Sequence, residues 1–474
     1  MKKFLGVLTI LLLSHSIVSA ETMDLGQLLT QAENNNPGII QLKQQIENLK
    51  SQSEALYGIY DTRLNFNAGV NVQKNQVTGF EPESLTGFST GLGWNKKLEN
   101  GIQLGFTGDL GYQNSKYTAA LAAFGLPSDL ATSKIGANFS MPLAQNSGGI
   151  IDRLIIESAL NQINQQKMSL EQKLRDERYN LYYAYLQTQL TSRLIKLRKE
   201  TLDRNKEYEA IAKRKRLTGY IQDAEFAQAQ LAVISAEKDY LEIKEQFRNT
   251  LLEMKRVCGL EPDFSLEIKE DSIDILPKVD DYEKSQQKLL AGDLMQQSLS
   301  LNVLVSMQKI ESAENALQAQ WNLQGTLSFT GKKADPLGSI GEITGFYPTI
   351  FVGIQSDLIG ATSKEKSEAE LAQLNKKIAE NNLTYYQNQL KHRFKKSFDQ
   401  YQFTKKMMEV NEKLLSKYRD YVKSLQRDYA LGKVDGFQIN QAENAYVLAE
   451  LGAIQNTSQM ILHLLNVQYL LGEI

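Results

Sequence analysis

Leu217-Thr218-Gly219, with Ala229 ten residues past the glycine, returns as Ala430-Leu431-Gly432 with Ala442 ten residues past, and Cys258-Gly259 returns as Leu471-Gly472. The offset is 213 residues each time (432 − 219 and 472 − 259). A helix-stopping glycine followed by an Ala-bearing segment therefore occurs twice at one spacing, which reads as an internal two-fold repeat of whole structural units rather than the short period of a solenoid. Upstream, Leu64-Asn65-Phe66-Asn67 matches Leu327-Ser328-Phe329-Thr330 at an offset of 263, so the first unit carries 50 residues (263 − 213) that the second lacks.

Proline-free stretches flank both glycines: none lies between Pro142 and Pro262 or after Pro348, and both stretches are rich in strong helix formers. The spacing predicts long helices over 149–217 and 361–431, each roughly 100 Å at 1.5 Å per residue. Gly219 and Gly432 supply the left-handed residue that ends each, and a second helix returns. In the first return, Phe226, Val233, Tyr240, Phe247 and Met254 recur every seven residues, with Ala229, Ala236, Ile243, Thr250 and Val257 three further on. In the second, Ile439, Tyr446, Ala453, Met460 and Val467 are partnered by Ala442, Ala449, Asn456, His463 and Leu470. These heptads describe either an antiparallel coiled coil within one chain or, given the small residues and the polar Asn456 and His463, a seam against another subunit.

The texture changes over 60–143, where glycines cluster and residues alternate in runs at 64–75, 88–98, 103–117 and 134–143. In the third run Leu104, Phe106, Leu110 and Tyr112 share one face, and Gln103, Thr107 and Asp109 share the other. Strands of about 9–11 residues with that alternation suit a tilted membrane-spanning strand, apolar towards lipid and polar towards water. Asn100-Gly101 reads as a tight turn, whereas the connections at 76–87 and 118–133 are longer. The second half holds two such runs, 323–332 and 348–359. Six strands cannot close a conducting barrel, since about eight already fill their interior with side chains. A symmetric oligomer has to complete the wall.

The first 20 residues have a basic start, an apolar run from Phe4 to Leu13 and a small-residue end at Ala20, the pattern of a secretory signal. Without Lys2 and Lys3 the formal charge moves from −2 to −4, too near neutrality for a nucleic-acid footprint. One cysteine excludes an intrachain disulfide, and His392 and His463, the histidines beyond the leader, sit in helical patterns. With no phosphate loop, dinucleotide fingerprint or nucleophile–base pair, the expectation is no enzyme, no cofactor and no metal. The plan is therefore α+β: leader 1–20, a first repeat over 21–258, a linker over 259–282 placed at the surface of the helical body, and a second repeat over 283–474.

This plan, with the two glycine turns and the Ala227-Gln228-Ala229-Gln230-Leu231 and Gln441-Ala442 segments behind them, resembles the TolC-like outer membrane efflux protein family over essentially the whole chain after the leader. The resemblance implies a homotrimer whose strands share one transmembrane β-barrel in outer membrane lipid and whose helices form a periplasmic α-barrel. It implies a passive exit duct for a tripartite efflux pump or type I secretion system, docked at its helical tips, Gly219 and Gly432, to a periplasmic adaptor and an inner-membrane transporter. In the family, links between neighbouring hairpins close the entrance. By the same counting Glu225 falls on a latch carboxylate, with the Tyr429 hydroxyl as its donor, Val434 replaces an arginine, and Gln438 and Gln441 replace an aspartate ring. Four strands in the first half, where the common type has two, leave open a barrel of 18 strands or one of 12 with an elaborated hairpin above it. A non-conducting, periplasm-spanning scaffold is the alternative function.

Overall fold

The computed structural model describes residues 21–76, 79–269, 276–277, 279, 281–345, 348–356 and 362–474. The expected leader, residue 361 of the second long helix and residues 357–359 of the last expected strand lie outside them. In chain order the elements are β1 (Glu21–Met23), α1 (Leu25–Asn35), α2 (Pro37–Ala55), β2 (Arg63–Lys74), β3 (Ser84–Lys97), β4 (Gln103–Lys116), α3 (Ala119–Ala122), β5 (Asp129–Pro142), α4 (Ile150–Leu217) and α5 (Asp223–Val257). Then follow β6 (Leu266–Ile268), α6 (Tyr282–Gly292), α7 (Leu294–Ala316), β7 (Trp321–Lys333), α8 (Pro336–Ile343), β8 (Pro348–Ser356), α9 (Ser363–Ala430) and α10 (Gly436–Leu471). Two compact units divide the chain: one comprises residues up to Gln45, Leu170–Leu294 and Tyr386–Ile474, the other Ile46–Ser169 and Met295–Tyr385.

In the first unit, contacts link α5 to α4 (Arg198 to Asp239, 3.0 Å), α4 to α10 (Tyr179 Oη to Asn466, 2.6 Å) and α10 to α9 (Gln426 to Glu443, 2.6 Å). Four helices end in one device. Gly219, Gly259, Gly432 and Gly472 all have φ between 69° and 76°, and the residue after each donates its N–H to the carbonyl five positions back, as Tyr220 to Lys215 and Lys433 to Asp428 at 2.9 Å. That bond satisfies a carbonyl the helix end leaves free, and glycine takes the left-handed conformation without a Cβ penalty.

The heptad seams face inward within the chain: Phe226, Ala229, Ala236, Met254 and Val257 are buried, as are Ile439, Ala442, Met460 and Val467. Asn456 and His463 are half-buried. Two cores anchor the ends of the returns. Leu28, Tyr185, Met254, Val257, Cys258 and Leu266 close around α1 and α5, and Leu289, Leu390, Phe394, Leu465, Val467 and Leu471 close around α6 and α10. Each fully buried Leu or Phe contributes about 1.5–3 kcal/mol, so these small helices fix the bases of the long ones. The segment expected as a surface linker is in part interior: Leu266 on β6, which pairs in parallel with β1, is buried in the first core, and Leu276 and Val279 are buried in the second. Its polar composition hid this because the apolar residues that turn inward among its described positions, Leu266, Leu276 and Val279, are scattered.

The second unit contains a six-stranded antiparallel sheet in the order β2-β3-β4-β5-β7-β8. The four runs of the first half and the two of the second pair side by side, with β5 bonded directly to β7. The expected turn is present: Gly101 has φ 83°, and Leu98 N–H donates to the Ile102 carbonyl at 2.8 Å. Register carries one set of residues through every strand, from Leu64, Trp94, Phe106 and Ala137 to Leu327 and Ile350. That face is apolar, while the reverse is mostly Asn, Gln, Ser, Thr and Gly, with Arg63, Lys97, Asp109, Lys134 and Lys332 as its charges. Helix α8, in the connection between β7 and β8, packs on the apolar face. Ser339 is fully buried there with Oγ 2.6 Å from Ser133 Oγ, and Gly331 leaves room for its backbone.

Candidate functional site at the helical tips

The two hairpin turns, 218–222 and 431–435, are built by the glycine terminators and by what starts the next helix. Asp435 caps α10, its carboxylate accepting the Gln438 N–H at 2.8 Å. Gln222 at the start of α5 gives no side-chain cap, and Asp223 pairs instead with Arg216 at 2.7 Å. An N-terminal carboxylate is favourable at either helix start because it faces the unsatisfied N–H groups.

Between the tips lies a cleft of about 690 Å³ whose walls include Lys215, Tyr220, Glu225, Tyr429, Val434 and Asp435. Tyr429 is buried, and its ring lies 5.7 Å from that of Tyr208. Lys215 donates to the Tyr429 carbonyl at 3.0 Å with its ammonium 3.5 Å from the ring centre. Tyr208 Oη donates to the Gly436 carbonyl at 3.2 Å. Gly436 is buried where a Cβ would run into Tyr208 Oη and Glu225 Oε1, so a side chain there would have to push these two groups aside. Burial pushes the Tyr208 phenol up, helped by Tyr429 and the Glu225 charge, and burial followed by the Glu225 charge pushes Tyr429 up. Both hydroxyls therefore stay protonated at neutral pH.

Glu225 and Tyr429 thus share one cleft, but the expected bond between them is not made. The buried Tyr429 hydroxyl has no hydrogen-bond partner of good geometry. The Glu225 carboxylate lies instead against the start of α10, where the missing Cβ of Gly436 leaves room for it beside Tyr208 Oη. Val434 is half-buried in the cleft wall, while the Gln438 and Gln441 side chains are exposed on one face of α10. Sequence reading missed Tyr208, Lys215 and Asp435. Lys215 carried a signal, a cation in the last turn of a helix, where it can reach free carbonyls. Tyr208 carried none, because its partner lies 228 positions away.

Above the tips, a ladder of polar groups joins α4 to α10. Arg204 Nε stands 3.5 Å from Glu443. Glu450, with its Oε2 buried and unpartnered, has its carboxyl pushed up by burial, against the pull of Arg204. Among the described residues no group of three His, Cys, Asp or Glu side chains is placed to hold a metal, and no helix is long and apolar enough to cross a membrane.

Paired hairpins with glycine-turned tips and a two-faced meander sheet give this chain the fold of TolC-like outer membrane efflux channels. The sequence matches no family model and no curated protein. Among solved structures, CusC superposes with a TM-score of 0.72 at 13% identity over 94% of this chain and 92% of its own. The outer membrane protein VceC of Vibrio cholerae gives 0.68 at 12% over 94% and 96%, and the CmeC outer membrane channel of Campylobacter jejuni 0.66 at 15% over 94% and 85%.

Proposed function

We propose that this protein belongs to the TolC-like family and acts as an outer membrane channel-tunnel, a passive exit duct serving a tripartite efflux pump or a type I secretion system. The observation that carries this reading is the sheet. Leu64, Phe66, Val70, Leu92, Ile350 and Val352 are each at least 65% exposed on its apolar face, while the reverse face is polar. In water such a face is a liability; in a bilayer it is the surface a barrel requires.

Three copies form the duct, with strands in the outer membrane and helices in the periplasm. Two apolar stripes support a ring of copies. Leu231, Ile234 and Leu241 on α5 and Phe403, Val410, Leu414 and Tyr421 on α9 are all exposed, at near-heptad spacing and on the outer helices of the α5, α4, α10, α9 series. Counted from their turns at Tyr220 and Lys433, Leu231 and Tyr421 stand 11 and 12 residues away, and Leu241 and Val410 stand 21 and 23 (231 − 220, 433 − 421, 241 − 220, 433 − 410). Matching heights let α5 of one copy interlock with α9 of the next. The internal repeat has similar support: α4 and α9 both span 68 residues, and both hairpins recur at the 213-residue offset (363 − 150 and 436 − 223).

The tips around Gly219 and Gly432 dock a periplasmic adaptor joined to an inner-membrane transporter, which supplies the energy. Glu225, Tyr429 and Val434 form the latch region, with the neutral Gln438 and Gln441 facing the constriction. No side chain is assigned a catalytic role. Conductance of the purified, detergent-extracted protein in planar bilayers tests the reading. Discrete channels that widen in a Glu225→Ala, Tyr429→Ala double variant support a gated duct, whereas silence from both despite verified insertion favours the scaffold.

A further inference from the structure

We propose that β2 of one copy continues the sheet from β8 of its neighbour, so that three copies close a single wall of 18 strands (3 × 6), in the register that sets Ala68 opposite Val352. The inference rests on the trimeric duct reading. Without the neighbouring copy the pore has no wall, because β2 and β8 are the outer strands of the sheet.

All six strands belong to the wall because their near ends, on the side of the helices, step by no more than two residues from each strand to the next, as the ends of tilted strands in one barrel do. Arg63, Lys97, Gln103, Pro142, Trp321 and Ser356 end the strands there, each within a few residues of its ladder partner's end. A hairpin stacked above a smaller wall would instead be displaced along the strands. The edges themselves are suited to pairing. Soluble proteins guard edge strands with charges, bulges or prolines. Here β2 is charged only at Arg63 and Lys74, its two ends, and β8 has no charge and a proline only at its first residue, Pro348. With an even number of antiparallel strands, first and last run in opposite directions and meet as an antiparallel pair.

Stagger within the sheet fixes the register. Straight across the ladders, Arg63 leads to Asn95, Gly105, Asn138, Thr326 and Phe351. Arg63 is the end of β2, but Phe351 lies five residues in from the end of β8 (356 − 351). Over the five strand steps the ends therefore climb by one residue per step on average. At ~3.3 Å per residue and ~4.8 Å between strands this is a tilt of about 35°, within the range barrels adopt. One further step gives six residues per chain, so Phe351 meets residue 69 of the next copy (63 + 6), and Ala68 meets Val352. Both residues lie on the apolar face, as they must, since a slip of one would turn the strand inside out. Walls of about 16–18 strands leave a water-filled lumen. Helix α8 packs on the opposite, apolar face through Ser339 and does not fill it.

Cysteine pairing in the full chain tests the register. Opposed Cα atoms in antiparallel strands stand about 4.5–5.5 Å apart, within disulfide reach. Ala68 and Val352 are exposed, so substitution leaves the fold intact, and the native Cys258 is fully buried. Ala68→Cys with Val352→Cys, oxidised in membranes, is expected to give covalent dimers and trimers on denaturing gels, several-fold more than Val70→Cys or Phe66→Cys with Val352→Cys. Co-expressed single variants should give dimers only. The mass of the detergent-extracted protein is measured alongside. A monomer overturns the trimeric duct itself. A trimer lacking the β2 to β8 link, or linked only within one chain, overturns the 18-stranded wall and leaves the duct standing.

Discussion

Lys215 holds Tyr429 twice: its ammonium lies 3.5 Å from the ring centre and donates to the same residue's carbonyl at 3.0 Å. One flexible side chain thus ties the last turn of α4 to the last turn of α9. A cation over an aromatic face contributes about 0.5–2 kcal/mol, and a charged hydrogen bond about 1.5–3 kcal/mol. Lys215→Met loses both. In the proposed duct, allowing for solvent at the half-exposed Lys215 side chain, the open population of the tips is expected to rise roughly tenfold, about 1.4 kcal/mol, read as open probability in planar bilayers.

Tyr429 separates ring from hydroxyl. Because the buried hydroxyl makes no hydrogen bond of good geometry, Tyr429→Phe is expected to leave channel behaviour unchanged and to melt at the same or a higher temperature, since it relieves the roughly 1–3 kcal/mol desolvation cost of an unpaired buried group. Tyr429→Ala removes the ring under Lys215 and against Tyr208 and should reproduce the Lys215→Met phenotype. A phenylalanine variant as open as the alanine one would assign the latch to the hydroxyl instead.

Gly219 and Gly259 share a backbone but not a neighbourhood. Their φ values are 76° and 69°, yet a Cβ at Gly219 meets nothing, whereas at Gly259 it meets the backbone of Asn35 and Asn36. Gly219→Ala is expected to cost only the left-handed penalty, about 1–2 kcal/mol. Gly259→Ala adds a clash with backbone that cannot swing aside, so its helical unfolding, followed by circular dichroism, should move to a distinctly lower temperature.

Glu450 gives the helical body a pH dependence. Burial raises its carboxyl pKa above the unfolded value, so holding it ionised costs stability above the folded pKa, and that cost vanishes below the unfolded one. Glu450→Gln should therefore melt higher than the parent at pH 8, with the difference shrinking as pH falls through the acidic range. A difference that grows on acidification would show that Arg204 and Arg419 stabilise the charge more than burial penalises it.

The exposed stripes predict where copies separate. In the proposed ring of three copies, Leu241→Lys with Val410→Lys puts like charges at matched heights on the helices proposed to face each other, and should shift the extracted protein from trimer towards monomer by size-exclusion chromatography with light scattering. Neither residue is buried in the single chain, so its secondary structure should persist.

Much of this was legible in order along the chain. Helix ends followed from Gly219 and Gly432, because a left-handed residue after a long run of helix formers has few other uses. The strands followed from strict alternation, as in Leu104, Phe106, Leu110 and Tyr112. The expected strands fell short at their far ends, β3 starting at Ser84 and β5 at Asp129 rather than at 88 and 134, where alternation weakens and cross-strand bonds alone extend the ladder. Helix α8 went unseen because two glycines interrupt its eight residues, and packing on Ser133 is what holds it.

What the sequence by itself determined was local: which segments are helix or strand, where they stop, and which face of each is apolar. These depend on dihedral preference and periodicity, which act over a few residues. Only the tertiary structure decided that β5 pairs with β7, that neighbouring strand ends fall within two residues of one another, that Leu266 in the apparent linker is core, and that Tyr429 is held by Lys215 and Tyr208 instead of bonding Glu225. Each joins residues tens to hundreds of positions apart, and such choices are made by shape and hydrogen-bond geometry that no single segment encodes.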